Sequence, residues 1–162
     1  MKYITMELST PLGEMILAAD GKAIVALLWK REELARIGIE ASTESASHPL
    51  LKRAAKQLKE YFAGTRREFD LPLDLQGTIF QKRIWRELRK IPFSQTWSYQ
   101  ELARRAGNPL AIRAAGTANG KNPICILVPC HRVVRLTGAP GGYAGGMENK
   151  AWLLAMEKRV SG

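Results

Sequence analysis

Between Ser98 and Gly120 the chain reads SYQELARRAGNPLAIRAAGTANG, and this stretch leaves little choice of local fold. Ser98 and Glu101 stand at the spacing of a capping box, which opens a helix. Gly107 breaks that helix. Asn108 and Pro109 then supply a cap and a first helical residue, where the missing N–H of proline costs no bond. The second helix reads LAIRAAGTANG, from Leu110 to Gly120. Helix, short glycine-containing turn, helix is the pattern of a helix-turn-helix, whose second member usually enters a DNA groove. It is equally the pattern of an ordinary helical hairpin in a core. Ala111, Ala114, Ala115, Gly116, Ala118 and Gly120 make the second helix thin, which suits close approach to nucleic acid and tight helix packing alike.

The segments on either side fall into two blocks. KYITMEL and EMILAA alternate as strands do, with bends at Thr10-Pro11-Leu12-Gly13 and at Asp20-Gly21, and KAIVALLW follows as a third strand. Residues 41–47, ASTESAS, read as a loop. A helical period begins at Pro49, with Leu50, Leu51, Ala54, Leu58, Tyr61 and Phe62 on one side, Ser47 as its cap and Gly64 as its stop. Pro72 to Gly77 is the candidate boundary, dividing the chain into 1–76 and 77–162. Beyond it Thr78 and Gln81 form another capping box. Phe80, Ile84, Leu88 and Ile91 lay out an apolar helix face that Pro92 ends, leaving Lys82, Arg83, Arg86, Arg89 and Lys90 largely on the wet side. NPICILVPCHRVVR reads as loop, strand, tight turn and strand. TGAPGGYAGG is a glycine-rich loop, and a last helix runs from about Met147 to Lys158. A sheet with a helix in the first block and a mostly helical second block give an α+β class.

Charge narrows the choice of partner. The 162 residues carry a formal net charge of +10, and between Ile79 and Arg135 eleven Lys and Arg stand against two acids. A polyanion partner accounts for so local an excess; so does a merely soluble basic surface. No apolar run approaches the ~18 residues of a membrane span. MKYITMELSTPLGEM lacks the apolar block of a signal peptide, so no membrane and a cytoplasmic location are expected. Two cysteines, Cys125 and Cys130, and two histidines, His48 and His131, give neither a disulfide framework nor a set of zinc ligands. No metal and no cofactor are expected.

Cys130 is unlike a merely buried cysteine. Pro129 precedes it and His131 follows it, inside the apolar run ILVPCHRVV. A thiolate is a nucleophile, and forming it takes a base or a positive field. Adjacent residues of an extended segment face opposite ways, so His131 needs a turn or a bridging water to serve Cys130. A third group should orient the imidazole. Glu157, near Leu153 and Leu154 on the last helix, is the candidate.

Six motifs, SYQELA, AGNP, RAAGTANGKNP, VPCHRVV, GGYAGG and LLAMEK, stand here in the order and spacing of a known family. The chain resembles the O6-alkylguanine-DNA alkyltransferases, also called methylated-DNA–protein-cysteine methyltransferases, from Thr78 to Lys158 and more loosely before that. The resemblance implies a ribonuclease-H-like N-terminal domain as support and a C-terminal, mostly helical, winged-helix-like domain with the helix-turn-helix. It implies a single, irreversible transfer of an alkyl group from guanine O6, and from thymine O4, in double-stranded DNA to Cys130. His131 would take the thiol proton through a water, with Glu157 holding its tautomer. The damaged base would be flipped out through the minor groove, Arg113 filling the gap and Tyr99 crowding the phosphate. Ala111, Ala114, Ala115, Gly116 and Asn119 would lie along the DNA. Tyr143 would wall the pocket, the Tyr99 hydroxyl would donate to N3, and the N–H of Ala144 would reach O6. The carbonyls of Cys130 and Val133 would accept from the exocyclic amine, and Asn122 would tie the DNA helix to the cysteine segment. Some family members hold zinc in the N-terminal domain; its ligands are missing here. The protein should act as a monomer, with cooperative assembly on DNA left open. The alkylated form should be less stable, because extra bulk overfills a packed pocket at ~1–3 kcal/mol.

Two readings from other classes compete. A helix-turn-helix regulator or damage sensor would bind DNA without chemistry, which leaves Cys130 without a purpose. A thiol hydrolase would use Cys130 and His131 repeatedly, which leaves the basic helix-turn-helix without one.

Overall fold

A computed structural model describes residues 3–40, 42–139 and 141–162. Lys2 of the first expected strand, Ala41 of the expected loop and Pro140 of the glycine-rich loop lie outside the described residues. The chain divides into two compact units, Met1–Gln76 and Gly77–Gly162, within the mixed α+β class expected from the sequence.

In the first unit β1 (Tyr3–Thr10), β2 (Gly13–Ala19) and β3 (Ile24–Leu28) form an antiparallel meander, and β4 (Ser42–Glu44) adds parallel to β1, for a sheet order β3-β2-β1-β4. Asp20 shapes the second bend by accepting from the N–H groups of Lys22 and Ala23, each at 3.0 Å. Every residue of β3 is buried although it ends the sheet. Its edge is covered by the Leu71–Asp74 segment, through Ile24 N–H to Pro72 O at 2.8 Å and Asp74 N–H to Ile24 O at 2.9 Å. Covering an edge in this way removes a template for aggregation. The expected loop over 41–47 thus contains a short strand. Its three residues are all exposed, so no apolar alternation announced it; the open edge of β1 creates it.

A short helix, α1 (Glu33–Arg36), follows the meander. The longer α2 (Pro49–Phe62) buries Leu51, Ala54, Leu58 and Tyr61. His48, not Ser47, caps it: the ring Nδ1 accepts from Leu50 N–H at 3.3 Å. Pro49 must sit at the first helical position, and this places the cap on the residue before it. Gly64, at φ 83°, ends the helix as expected.

In the second unit α3 (Ile79–Leu88) opens on the full capping box, with both Thr78–Gln81 bonds made at 3.0 and 3.1 Å. Its basic residues are exposed, and Ile84, Trp85 and Leu88 are buried. β5 (Trp97–Ser98) leads into α4 (Tyr99–Arg105), which Ser98 caps by accepting from Glu101 N–H at 3.0 Å. The second half of that expected capping box is absent, because the Glu101 carboxylate turns outward to Arg104 and Arg105. The next helix, α5 (Ile112–Gly120), starts two residues later than LAIRAAGTANG implied. The Asn108 side chain accepts from Leu110 N–H at 3.1 Å and the Asn108 carbonyl from Ala111 N–H at 3.0 Å. Pro109 and Leu110 are thereby held in a turn, and Leu110 is 93% exposed. Trp85 fixes α3 to α5 by donating its indole N–H to Ala118 O at 2.8 Å. The unit closes with β6 (Val133–Val134), which pairs with β5, and α6 (Met147–Ser161). No described helix is long and apolar enough to cross a membrane.

Thr78→Ala removes the hydroxyl at the head of α3. A loss of about 1 kcal/mol is expected in urea unfolding, the ordinary worth of such a cap.

Candidate active site

The segment before the cysteine is not a strand. Leu127 N–H bonds to Cys125 O at 2.8 Å across Ile126, whose φ is +71°. A β-branched residue in that region is strained by ~1–3 kcal/mol. A second tight turn follows, Cys130 N–H to Val128 O at 2.8 Å, with Pro129 at φ −80° and ψ 65°. Asn122 holds the loop closed: its side chain donates to Val128 O at 2.7 Å and accepts from Ile124 N–H at 3.0 Å. Cys130, His131 and Arg132 then form a single 3-10 turn and are buried. The expectation of opposite-facing neighbours on a strand is therefore replaced by side chains about a third of a turn apart. Neither cysteine is in a disulfide.

One carboxylate organises this turn. Glu157 Oε2 stands 2.7 Å from His131 Nε2. Arg132 grips the same carboxylate with both arms, Nε to Oε1 at 2.9 Å and Nη2 to Oε2 at 3.1 Å, and sends Nη1 to Ile91 O at 2.8 Å. Ser94 N–H adds a further bond to Oε1 at 2.9 Å. Burial pushes the Glu157 carboxyl up, but the hydrogen bonds from His131 and Arg132 and the Arg132 charge outweigh it and hold the group well below its ordinary range. Burial dominates at His131; with the charges of Arg132 and Lys150 it lowers the imidazole, against the pull of Glu157. A neutral imidazole beside an ionised carboxylate can accept a proton.

The Cys130 thiol is lowered from its ordinary value. The hydrogen bond from Cys125 contributes most, burial opposes it, and the Asn122 side chain and the charge of Lys150 add to the lowering. Lys150 is itself buried, and its Nζ donates to Gly142 O at 3.1 Å and to the Tyr99 hydroxyl at 3.4 Å. Burial brings it down to about 8; the charge of Cys130 opposes that shift and Arg135 reinforces it. Tyr99 is raised by burial and by the charge of Cys130. The glycine-rich loop lies against its ring. Gly141 has φ +75°, and a Cβ there would stand 2.8 Å from the Tyr99 oxygen, so no larger residue fits.

An open cleft of about 1070 Å³ runs beside the exposed side of α5, lined by Tyr99, Arg113, Gly116, Asn119, Tyr143 and Ala144 among others. Leu110 and Leu136, both exposed, also line it. From its inner wall Asn119 donates to Cys130 O at 3.3 Å. Val133, directly after the turn, pairs with Trp97 and so sets the cysteine segment beside the start of α4, where Tyr99 stands.

The sequence-derived set is thus gathered in one unit, with two corrections. Ala115 and Asn119 were expected along the DNA, but both are buried, at 0% and 3% exposure. They lie on the inner face of α5, while Arg113 and Ala114 are exposed, Gly116 is half-buried and Ala111 is half-buried at the helix start. The tie between α5 and the cysteine is made by Asn119 rather than Asn122, because Asn122 closes its own loop. Sequence reasoning passed over Arg132 and Lys150. The signals were present: Arg132 sits among buried apolar residues, and Lys150 falls on the same helical face as Leu153 and Glu157.

Comparison with known proteins identifies the family. Residues 79–159 match the family described as 6-O-methylguanine DNA methyltransferase, DNA binding domain, and residues 1–75 match its ribonuclease-like domain. The constitutive methylated-DNA–protein-cysteine methyltransferase of Bacillus subtilis is 42% identical over 160 residues, 96% of this chain and 94% of that protein. The same-named protein of Mycobacterium tuberculosis is 43% identical over 151 residues, covering 93% and 90%. A crystal structure of Mycobacterium tuberculosis OGT in complex with DNA superposes with a TM-score of 0.89 at 40% identity, covering 97% of this chain and 94% of that one.

Glu157→Gln keeps the shape but leaves Arg132 buried without its counter-charge. A loss of about 3–5 kcal/mol in denaturant unfolding is expected. Because the native carboxyl titrates below its ordinary value of 4.5, the unfolded chain binds more protons in that range. Wild-type stability should therefore be full above that value and fall as the pH drops below it. The variant should show a shallower acid limb.

Proposed function

The chain belongs to the 6-O-methylguanine DNA methyltransferase family, and from that premise we propose how its own residues carry out the repair. The protein repairs alkylated DNA by transferring the alkyl group to one of its own cysteines, and Cys130 is that acceptor. The observation that carries the assignment is the buried chain Glu157–His131 in the turn of Cys130, set behind a cleft on the exposed side of α5.

His131, neutral and oriented through Nε2 by Glu157, takes the thiol proton through a water. The thiolate attacks the alkyl carbon; an S–C bond forms as the C–O6 bond breaks. The electron pair stays on the guanine, which is protonated as it leaves. Tyr99 donates to N3, the N–H of Ala144 reaches O6, and the carbonyls of Cys130 and Val133 accept from the exocyclic amine. Tyr143 forms the wall of the pocket. A thiolate prepared in a buried turn reacts without ordering solvent afresh. The thioether product is stable, and each protein molecule therefore acts once.

The lesion reaches Cys130 by rotation out of the duplex. Arg113, exposed on α5, wedges into the stack, while Ala111, Ala114 and Gly116 let the backbone of the helix approach the minor groove. Exposed Leu110 suits an apolar contact there. Asn119 holds the cysteine turn against that helix, while Asn122 closes the loop that leads into the turn. Thymine O4 adducts are substrates of the same pocket. All groups named lie in one chain, so a monomer suffices. An unpaired reactive thiol needs reducing surroundings, which favours the cytoplasm.

Incubation with methylated duplex DNA followed by peptide mass spectrometry should find one methyl group per protein, on the peptide containing Cys130. Cys130→Ser should take none. Methyl on another peptide, or released product in excess of protein, rejects the assignment. Arg113→Ala should slow transfer from duplex roughly 10–100-fold, since unstacking costs a few kcal/mol. Transfer from a single-stranded oligonucleotide should change little.

A further inference from the structure

Surface arginines of this protein are mostly answered by acids. Arg31, Arg36, Arg53, Arg66, Arg104 and Arg105 each sit in an ion pair. On α3 the pattern changes. Arg83, Arg86 and Arg89 are exposed, and no acid among the described residues pairs with them. The only acid in the helix, Glu87, is taken by Lys90. Arg86 lies back along its own helix, donating Nε to Lys82 O at 3.2 Å. Like charges three and four residues apart weaken a helix. Such a row gains only when an anion meets it.

The row is turned away from the site already described. α3 packs against α4, α5 and the cysteine turn, and its buried face is Ile84, Trp85 and Leu88. At about 100° per residue, Arg83, Arg86 and Lys90 fall on the opposite side. With Glu87 and Arg89 they line an open groove of about 560 Å³, and no residue of that groove belongs to the cleft beside α5. From Arg83 to Lys90 the helix rises about 10 Å, which faces roughly three phosphates of one DNA strand at ~3.4 Å apiece. Apolar side chains are missing from this face. The large exposed ones among the described residues are Ile79, Leu110, Ile112, Leu136 and Met147. A protein partner would call for an apolar centre to its contact. A phosphate backbone calls only for cations, and the forked donors of arginine suit it. Duplex DNA is stiff over roughly 150 base pairs, so one lying along the cleft does not bend round to the far side of α3.

We propose that Arg83, Arg86 and Arg89, with Lys82, form a second DNA-binding site, which takes the phosphate backbone of a duplex segment other than the one being repaired. The proposal rests on the repaired duplex lying in the cleft beside α5. Two sites let one chain hold two segments and pass from one to the other without first coming free. Contacts to phosphates carry no sequence information, which suits a search for scattered lesions. The second site touches neither the alkyl group nor Cys130, so the chemical step does not depend on it.

The first test uses Cys130→Ser protein, which holds DNA without reacting, and duplexes of roughly 14 base pairs, little more than one helical turn. With DNA in excess at low salt, sedimentation should find two duplexes per chain. It should find one when Arg83→Gln, Arg86→Gln and Arg89→Gln are added together. Affinity for the second duplex should fall with salt at a log–log slope of about −3, from three phosphates at ~0.9 each. One duplex on the chain that keeps its arginines, or two on the glutamine variant, overturns the proposal. The second test keeps Cys130. Release of a labelled, unmodified duplex should quicken in proportion to added competitor duplex, and in the glutamine variant it should be independent of competitor. Methyl transfer from saturating lesion-bearing duplex should be equal in the two proteins. Slower transfer in the variant places the arginines on the repaired duplex and rejects a second site. Since all three positions are exposed, urea unfolding of the variant should match the wild type. A wild-type chain that binds two duplexes yet takes no methyl would sink the alkyl-acceptor reading and leave this site standing.

Discussion

A carboxylate taken out of water must be met on all sides, and the site of this protein is built around that demand. Glu157 is 1% exposed and is met by the imidazole of His131, both arms of Arg132 and the N–H of Ser94. The partners come from two separate stretches of chain and the carboxylate from a third. Ser94 precedes β5, His131 and Arg132 form the cysteine turn, and Glu157 stands near the end of α6. Meeting the charge therefore fixes the turn against the last helix and sets the tautomer of His131 in the same act. Buried ion pairs contribute little net stability. What this one supplies is position: a cysteine turn held against the last helix.

The same turn is reached through unfavourable backbone. Ile126 at φ +71° is a conformation that a β-branched residue avoids. The strain is local, and Asn122 with two hydrogen bonds holds it in place. Two tight turns in sequence lift Cys130 out of what would otherwise continue as a strand. Its sulfur then lies within reach of Cys125, Asn122 and the field of Lys150, all of which favour the thiolate.

Helix α5 shows a division of labour between its faces. Inward residues of α5, Ala115, Ala118 and Asn119, pack against the unit or bind the cysteine segment; outward ones, Arg113 and Ala114, are exposed beside the cleft. Small residues serve both purposes. Inside they let Trp85 reach the carbonyl of Ala118, and outside they leave the backbone lightly covered beside the cleft.

Much of this was legible in the chain. The capping box of α3, the glycine that stops α2, the helix-turn-helix and the constellation of Cys130, His131 and Glu157 all follow from spacing, motif or resemblance, because each depends on neighbours a few residues away or on a pattern carried whole. The misses share a cause. β4 exists because the edge of β1 is open to it. His48 became a cap because of where Pro49 must sit, and the Asn108 turn delayed α5. Arg132 and Lys150 carry meaning through groups brought to them from far along the chain. Sequence by itself determined which residues could do chemistry and where the longer helices lie. Tertiary structure decided which charges are buried together, since burial is a property of what surrounds a residue and not of the residue.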